Sequence, residues 1–287
     1  MKIYLVCNVR FVTKVMFVGT GGGRHTTMFQ IRSTGGFLVE TGKSRIYIDP
    51  GPGALTNLHK IGYDIRKIDA VRISHCHPDH CSDAAAWIAG MTHGGFVKKG
   101  ELYGSVTVME GLGNLGPKIS SYHKNLPKKC FTVKPGETYL VANLKTDIMK
   151  SDHSDPTGVG FKFYTRDGIL SYVSDTNYSD EIASQYKGTR VLLLPVTVPF
   201  NNRVKGHLCT ADAVLFVECV KPELCVFVHL GIAILKRDPI KEAEIVKNMT
   251  GVETIAGEDL MTLDMSKDLV FGRLEPMKLK WSSFWNL

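Results

Sequence analysis

The stretch His75-Cys76-His77-Pro78-Asp79-His80 decides how this chain is read. Three imidazoles and a carboxylate fall within six positions, directly after the strand-like run Ile68–Ser74. Two histidines one residue apart can turn toward the same ion from a strand end. The Asp-His pair that follows can turn toward a second ion. This donor density points to a metal-dependent hydrolase.

Working outward, further donors stand at the ends of strand-like runs. His153 follows Leu144–Met149, Asp175 follows Gly168–Ser174, and His229 closes Leu224–His229. A sheet holds strand-end ligands rigidly, as an open metal site requires. Alone, each of these residues would read as a cap or a satisfied polar group; with the cluster they complete two coordination shells. Cys76 and Cys81 flank the histidines and read either as a thiolate ligand or as thiols packed beside the site. Asp49, ending the strand Arg45–Asp49, either supports a ligand histidine or caps its turn.

The motif His75-Cys76-His77-Pro78-Asp79-His80, with His153, Asp175 and His229 in that chain order, resembles the metallo-β-lactamase superfamily pattern H-x-H-x-D-H. The likeness spans roughly Met16 to Gly257. It implies an α/β fold, a four-layer αββα sandwich, formed as a single domain over residues 1–287. It also implies two divalent metal ions: Zn²⁺, with Mn²⁺ or Fe²⁺ as alternatives. His75, His77 and His153 would bind the first ion, Asp79, His80 and His229 the second, and Asp175 would bridge them. A hydroxide shared by the two ions would be the nucleophile.

Members of that superfamily cleave thioesters, lactones, β-lactams and phosphodiesters, so the fold does not choose the substrate. The segment Gly206-His207-Leu208-Cys209-Thr210-Ala211-Asp212-Ala213 is similar to an element of the phosphodiesterase branch, although Cys209 interrupts the match. In that branch the histidine stabilises or protonates the departing oxygen, which would make Asp79 and His207 the catalytic residues. The simpler reading has His207 capping the next helix. Arg203 and Lys205, just upstream, and Arg24 and His25, after Gly19-Thr20-Gly21-Gly22-Gly23, are candidate phosphate contacts. Equally, Arg203 and Lys205 read as solvated charges and the glycine cluster as a tight turn. His153 and Asp175 lie 22 residues apart, too close to hold the tRNA-gripping insertion of the tRNA-processing branch. The expected substrate is thus a small phosphodiester or a nucleic acid end. A thioesterase or lactonase on the same centre is the alternative.

Composition is consistent with this. Apolar residues make up 44% and charged residues 22%, a globular profile, and 35 basic against 28 acidic side chains give a mild net charge of +7. The seven cysteines show no C-x-x-C pair, which fits a reducing compartment, the cytoplasm, better than a disulfide framework. No apolar run approaches the ~20 residues needed to span a bilayer, so no membrane partner is expected.

The pattern predicts a strand at Val15–Gly19, another at Met28–Ser33, and a hairpin of Gly36–Glu40 with Arg45–Asp49. A helix follows over Ala54–Ile61, and a second, capped by Ser82 or Asp83, runs to Gly90. Residues 1–15 read as peripheral. Residues 90–129 read as irregular, a candidate lid or substrate loop, with only Ser105–Met109 strand-like. Strands are expected at Cys130–Lys134, Thr138–Val141, Leu144–Met149, Gly158–Thr165, Gly168–Ser174, Arg190–Pro195 and Leu224–His229. Helices are expected at Ser179–Tyr186, Thr210–Val220 and Pro239–Met249. In the tail, 266–287, Trp281, Phe284 and Trp285 read as covering a core edge or a homodimer contact.

Overall fold

The computed structural model of the chain describes residues 12–42 and 44–277. Among these residues, β1 (Lys14–Phe17), β2 (Phe37–Thr41), β3 (Ser44–Ile48), β4 (Ala70–Ile73), β5 (Glu101–Ser105) and β6 (Lys129–Val133) open a first sheet. A second sheet takes β7 (Thr138–Val141), β8 (Leu144–Lys150), β9 (Val159–Thr165), β10 (Gly168–Tyr172), β11 (Val191–Val198), β12 (Leu208–Cys209), β13 (Leu224–Val228) and β14 (Glu253–Ala256). Then β15 (Met261–Asp264) and β16 (Val270–Arg273) return to the first sheet, whose order is β16-β15-β1-β2-β3-β4-β5-β6. The second runs β14-β13-β11-β10-β9-β8-β7, with β12 beside β11.

Side-chain alternation along each strand builds the layers. In β11, Val191 and Leu193 face the core between the two sheets, while Leu192, Leu194 and Val196 face the helices Asp180–Ser184, Thr210–Val220 and Pro239–Thr250. In β4, Ala70 faces the first sheet's partner, and Val71 and Ile73 face the helices Ala54–Lys60 and Ala84–Met91. Helices therefore cover both outer faces, giving the αββα sandwich that the sequence implied. Being covered on both sides, the parallel strands β11 and β13 are buried at every position, which is why they read as unbroken apolar runs.

Three expectations are corrected. Met28–Ser33 is not a strand: Arg24–Phe29 is a short helix, entered through Gly23 at φ 76° and left through Gln30 at φ 46°. Met28 and Phe29, which open the expected strand, are 65% and 66% exposed. The run Ser105–Met109 is likewise split, with the strand ending at Ser105 and Val106–Met109 forming a helical turn that buries Val108 and Met109. Short apolar runs carry no period that separates the two states. Within 90–129, Glu101–Ser105 is an interior strand, and Met91, Val108 and Ile119 pack into the helical layer over the first sheet. The first strand begins at Lys14, and Val15 lies in the central core. Residues 1–11 and the tail aromatics Trp281, Phe284 and Trp285 lie outside the described residues.

Topology delivers the site. Strands β3 and β4 are parallel in one sheet, and β10, β11 and β13 in the other. Strand β8 pairs antiparallel to β9, and β9 to β10, so β8 runs with β10. Asp49, His75, His153, Asp175 and His229 each follow the carboxyl end of one of these co-directional strands. A bond from the Val159 amide to the Ser74 carbonyl (3.1 Å) ties the two sheets together at that edge.

Candidate metal centre

Two groups of donor atoms converge at the sheet edge, and a third, Asp175 with His207 and His229, overlaps them both. His75, His77, His153 and Asp175 form one, and Asp79, His80 and His229 the other, each with its donors within 4.8 Å of one another. In the first group, His77 Nδ1 lies 3.1 Å from His75 Nε2 and 3.0 Å from His153 Nε2. In the second, His229 Nε2 and Asp79 Oδ2 are 3.1 Å apart. Asp175 sits between the groups. Its Oδ2 is 3.2 Å from His229 Nε2, 3.5 Å from His80 Nε2, and 3.8 Å from both His75 Nε2 and His153 Nε2.

The outer nitrogens explain why the inner ones converge. His80 Nδ1 meets Asp49 Oδ2 at 2.9 Å, and His153 Nδ1 meets the Gly206 carbonyl at 2.7 Å. Thr197 Oγ1 lies 2.9 Å from His229 Nδ1, and Ser154 Oγ lies 3.3 Å from His77 Nε2. His75 Nδ1 meets Ser74 Oγ at 2.9 Å, and Ser74 Oγ donates onward to Asp49 Oδ2 at 2.7 Å. Each ring thus has a hydrogen-bond partner on its outer side, which turns its other nitrogen inward. Ring nitrogens 3.0–3.1 Å apart need a proton or a cation between them. A zinc ion ~2.0–2.1 Å from each nitrogen would set such separations.

Electrostatics points the same way. Burial opposes ionisation of Asp175, yet His229 and His80 hold it well below the usual carboxylate range. Asp79 is likewise held low against its burial by His80 and His229. Burial pushes His75 and His77 below their ordinary value and His207 down to about 4. Although burial opposes its charging, Asp79 and Asp175 raise His80 well above its ordinary value, so the two carboxylates draw positive charge into the cradle. Two of its atoms, His80 Nε2 and Asp175 Oδ1, are buried without a hydrogen-bond partner, as atoms reserved for an ion would be. The donor set fits divalent metals.

Backbone strain marks the same edge. Asp49, Ser174 and His229 have φ of 54°, 62° and 55°. Such conformations cost non-glycine residues about 1–3 kcal/mol each and concentrate at functional sites. Two glycines make room: a Cβ on Gly22 would lie 2.1 Å from the His229 ring, and one on Gly206 2.6 Å from His153 Nδ1.

His207 joins the cluster, with Nδ1 3.6 Å from Asp175 Oδ2 and its ring stacked on His229 at 5.6 Å between centroids. It does not cap the following helix, whose N-cap is Cys209 in a capping box with Asp212. Asn177 holds the loop that carries it. Asn177 Oδ1 accepts the Gly206 amide at 2.7 Å, and Asn177 Nδ2 donates to Asp152 Oδ2 at 2.9 Å. Arg24 and His25 are exposed on the helix after Gly23, whose amide donates to Asp79 Oδ2 at 2.8 Å. Arg203 is exposed and paired with Asp212 at 2.8 Å, and Lys205 is exposed. None of these four cations belongs to the convergent donor groups found among the described residues.

Cys76 and Cys81 are buried thiols, raised by burial to about 11 and about 12, and belong to the helical-layer core. They pack beside the site, as the second sequence reading held. Thr197, Asn177 and the Gly206 carbonyl were not singled out from sequence. Ser74 and Ser154 carried the one available signal, since each adjoins a donor histidine in the chain.

Comparison with known proteins agrees with this fold. The family described as a Beta-lactamase superfamily domain matches residues 44–230. An uncharacterized protein of Methanocaldococcus jannaschii is 33% identical over 269 residues, covering 93% of this chain and 99% of its own. Ribonuclease Z of Methanopyrus kandleri is 28% identical over 144 residues, 49% of this chain and 47% of its own. Among solved structures, the metallo-beta-lactamase fold protein YhfI from Bacillus subtilis aligns with a TM-score of 0.70 at 20% identity, covering 86% of this chain and 97% of its own. The motif, the sandwich and a family match over more than half the sequence make this chain a member of the metallo-β-lactamase superfamily of hydrolases.

Proposed function

We propose that this chain is a phosphodiesterase with two divalent metal ions, Zn²⁺ or an ion of similar ligand preference, at the sheet edge. His75, His77 and His153 hold one ion, Asp79, His80 and His229 the other, and Asp175 reaches both. When bound, such ions supply Lewis acidity toward phosphate oxygens and lower the pKa of water. Asp49 and Ser74 keep His80 and His75 in the ligating tautomers. His207 stabilises or protonates the departing oxygen, because an alkoxide is a poor leaving group without a proton.

The observation that carries this reading is His207 beside Asp175, 3.6 Å away, on a loop that Asn177 clamps. Thioester or lactone cleavage does not call for that residue. The matched ribonuclease Z supports the same substrate class. A reducing compartment such as the cytoplasm suits the six described cysteines, all unpaired. Among the described residues, no helix is long and apolar enough to cross a membrane.

A hydrolysis screen of the chain loaded with Zn²⁺ or Mn²⁺ tests the proposal. Bis-p-nitrophenyl phosphate, cyclic nucleotides, a thioester and a lactone are compared. Turnover of the phosphodiesters is expected; turnover confined to the thioester or lactone refutes it.

A further inference from the structure

A second concavity opens beside the loop that carries His207. It is an open groove of about 520 Å³, and its lining includes Phe200, Asn201, Asn202, Arg237, Lys241 and Glu242. That volume lies within the range of small-molecule and nucleotide sites. Its floor is rigid: Glu242, buried, accepts the Phe200 amide at 2.9 Å and the Thr210 hydroxyl at 2.6 Å through the same oxygen. Its rim carries two exposed cations. The Arg237 and Lys241 side chains are 62% and 76% exposed, and their acidic contacts, Glu242 at 4.0 Å and Asp238 at 3.9 Å, are at the limit of an ion pair. Such contacts are weak and give way readily to a better anion.

The groove is coupled to the metal centre by short, stiff paths. Thr197, which meets His229 Nδ1 at 2.9 Å, stands three residues before Phe200. His207 stands three residues before Thr210, which anchors the floor, and β11 pairs with β12 between them. The helix Ile232–Arg237 starts beside the Thr197 carbonyl and ends at the groove, a span of about 9 Å at 1.5 Å per residue. Centre and groove are thus joined through one short segment, residues 197–210.

We infer that this groove is a subsite for a single-stranded oligonucleotide whose scissile phosphodiester lies at the metal centre. Arg237 and Lys241 take a backbone phosphate, the Phe200 ring stacks on a base, and the Asn201 and Asn202 amides meet its edge. Because the groove adjoins the loop that carries His207, it holds the strand on the leaving-oxygen side. This inference rests on the phosphodiesterase reading and narrows it: the substrate continues past the bond that breaks.

The test compares a short oligoribonucleotide and an oligodeoxyribonucleotide with bis-p-nitrophenyl phosphate, which has nothing to place in the groove. For the double variant R237E/K241E, KM for the oligonucleotides should rise about tenfold, and the salt dependence of log(kcat/KM) should flatten by about 0.7 per lost phosphate contact. For F200A, KM should rise at least ~5-fold. Constants for bis-p-nitrophenyl phosphate should stay within about twofold, which also shows that both variants fold. A preference between the two oligonucleotides identifies the sugar. Unchanged oligonucleotide KM in both variants overturns the subsite. So does a rise in R237E/K241E with none in F200A, which would mean attraction for any polyanion. Wild-type cleavage of bis-p-nitrophenyl phosphate but of neither oligonucleotide overturns the subsite and leaves the phosphodiesterase standing; cleavage of none overturns both.

Discussion

His80 Nδ1 lies 2.9 Å from Asp49 Oδ2, and both side chains are almost wholly sealed from water. Asp49 also accepts the Ser74 amide and hydroxyl at 2.7 Å each and the Tyr172 hydroxyl at 3.0 Å. One carboxylate therefore orients His80 directly and His75 through Ser74, and so reaches both donor groups. Asp49→Asn keeps the shape and removes the charge. Metal affinity should fall about 10–100-fold, read by competition with a chelating dye. An affinity within twofold of wild type would mean that Asp49 only shapes its turn.

Asn177 ties His207 to His153, because the Gly206 amide it accepts belongs to the residue whose carbonyl takes the His153 Nδ1 proton. Asn177→Ala frees that loop. With a poor alkoxide leaving group, kcat should drop about 10–100-fold, toward the ~10²–10⁴-fold loss expected of His207→Ala. With p-nitrophenolate, which leaves without a proton, the drop should be much smaller. Equal losses on both substrates would point to general damage instead of misplaced His207.

Much of this site was legible because its donors sit where chain direction changes. Residues 75–80 are contiguous and follow one strand, and His153, Asp175 and His229 each follow another. Strand ends can be found from apolar periodicity, so the donors could be found with them. Asn177, Thr197 and the Gly206 carbonyl act only because three distant segments meet at the carboxyl ends of β10, β11 and β13, and no local pattern records that meeting. The helix at Arg24–Phe29 stayed hidden for a different reason. Its Met28 and Phe29 face solvent, so residue type misreported burial.

Gly22 and Gly206 are predicted to be steric requirements of the metal centre. Gly22→Ala should displace the His229 ring, since its Cβ would lie 2.1 Å from that ring. Gly206→Ala should crowd His153 at 2.6 Å, and Gly206 has φ 83° besides. Bound metal measured by elemental analysis should fall in both, while Gly116→Ala, with nothing within 4 Å, should match wild type. Circular dichroism of each variant separates metal loss from unfolding.

Alkaline stability should depend on buried tyrosines. Burial holds the Tyr47 and Tyr186 hydroxyls above their ordinary value of 10, in Tyr47 with help from Asp83 and Asp49. In the unfolded chain they lose protons near pH 10, and in the folded chain they keep them. The stability they contribute is therefore fully present below pH 10 and is lost as pH rises above it. Tyrosinate absorbance should rise in two stages, exposed residues first, then the buried ones together with loss of circular dichroism. A single non-cooperative titration with the fold intact would contradict this.

The central claim is a two-metal centre that breaks phosphodiester bonds. Its most direct test returns Zn²⁺ or Mn²⁺ in steps to chain stripped by a chelator, while hydrolysis of bis-p-nitrophenyl phosphate is followed. Activity should be absent in the stripped chain and should level off at two ions per chain. Full activity at one ion or none, or a metal-loaded chain that cleaves only thioesters or lactones, would contradict it.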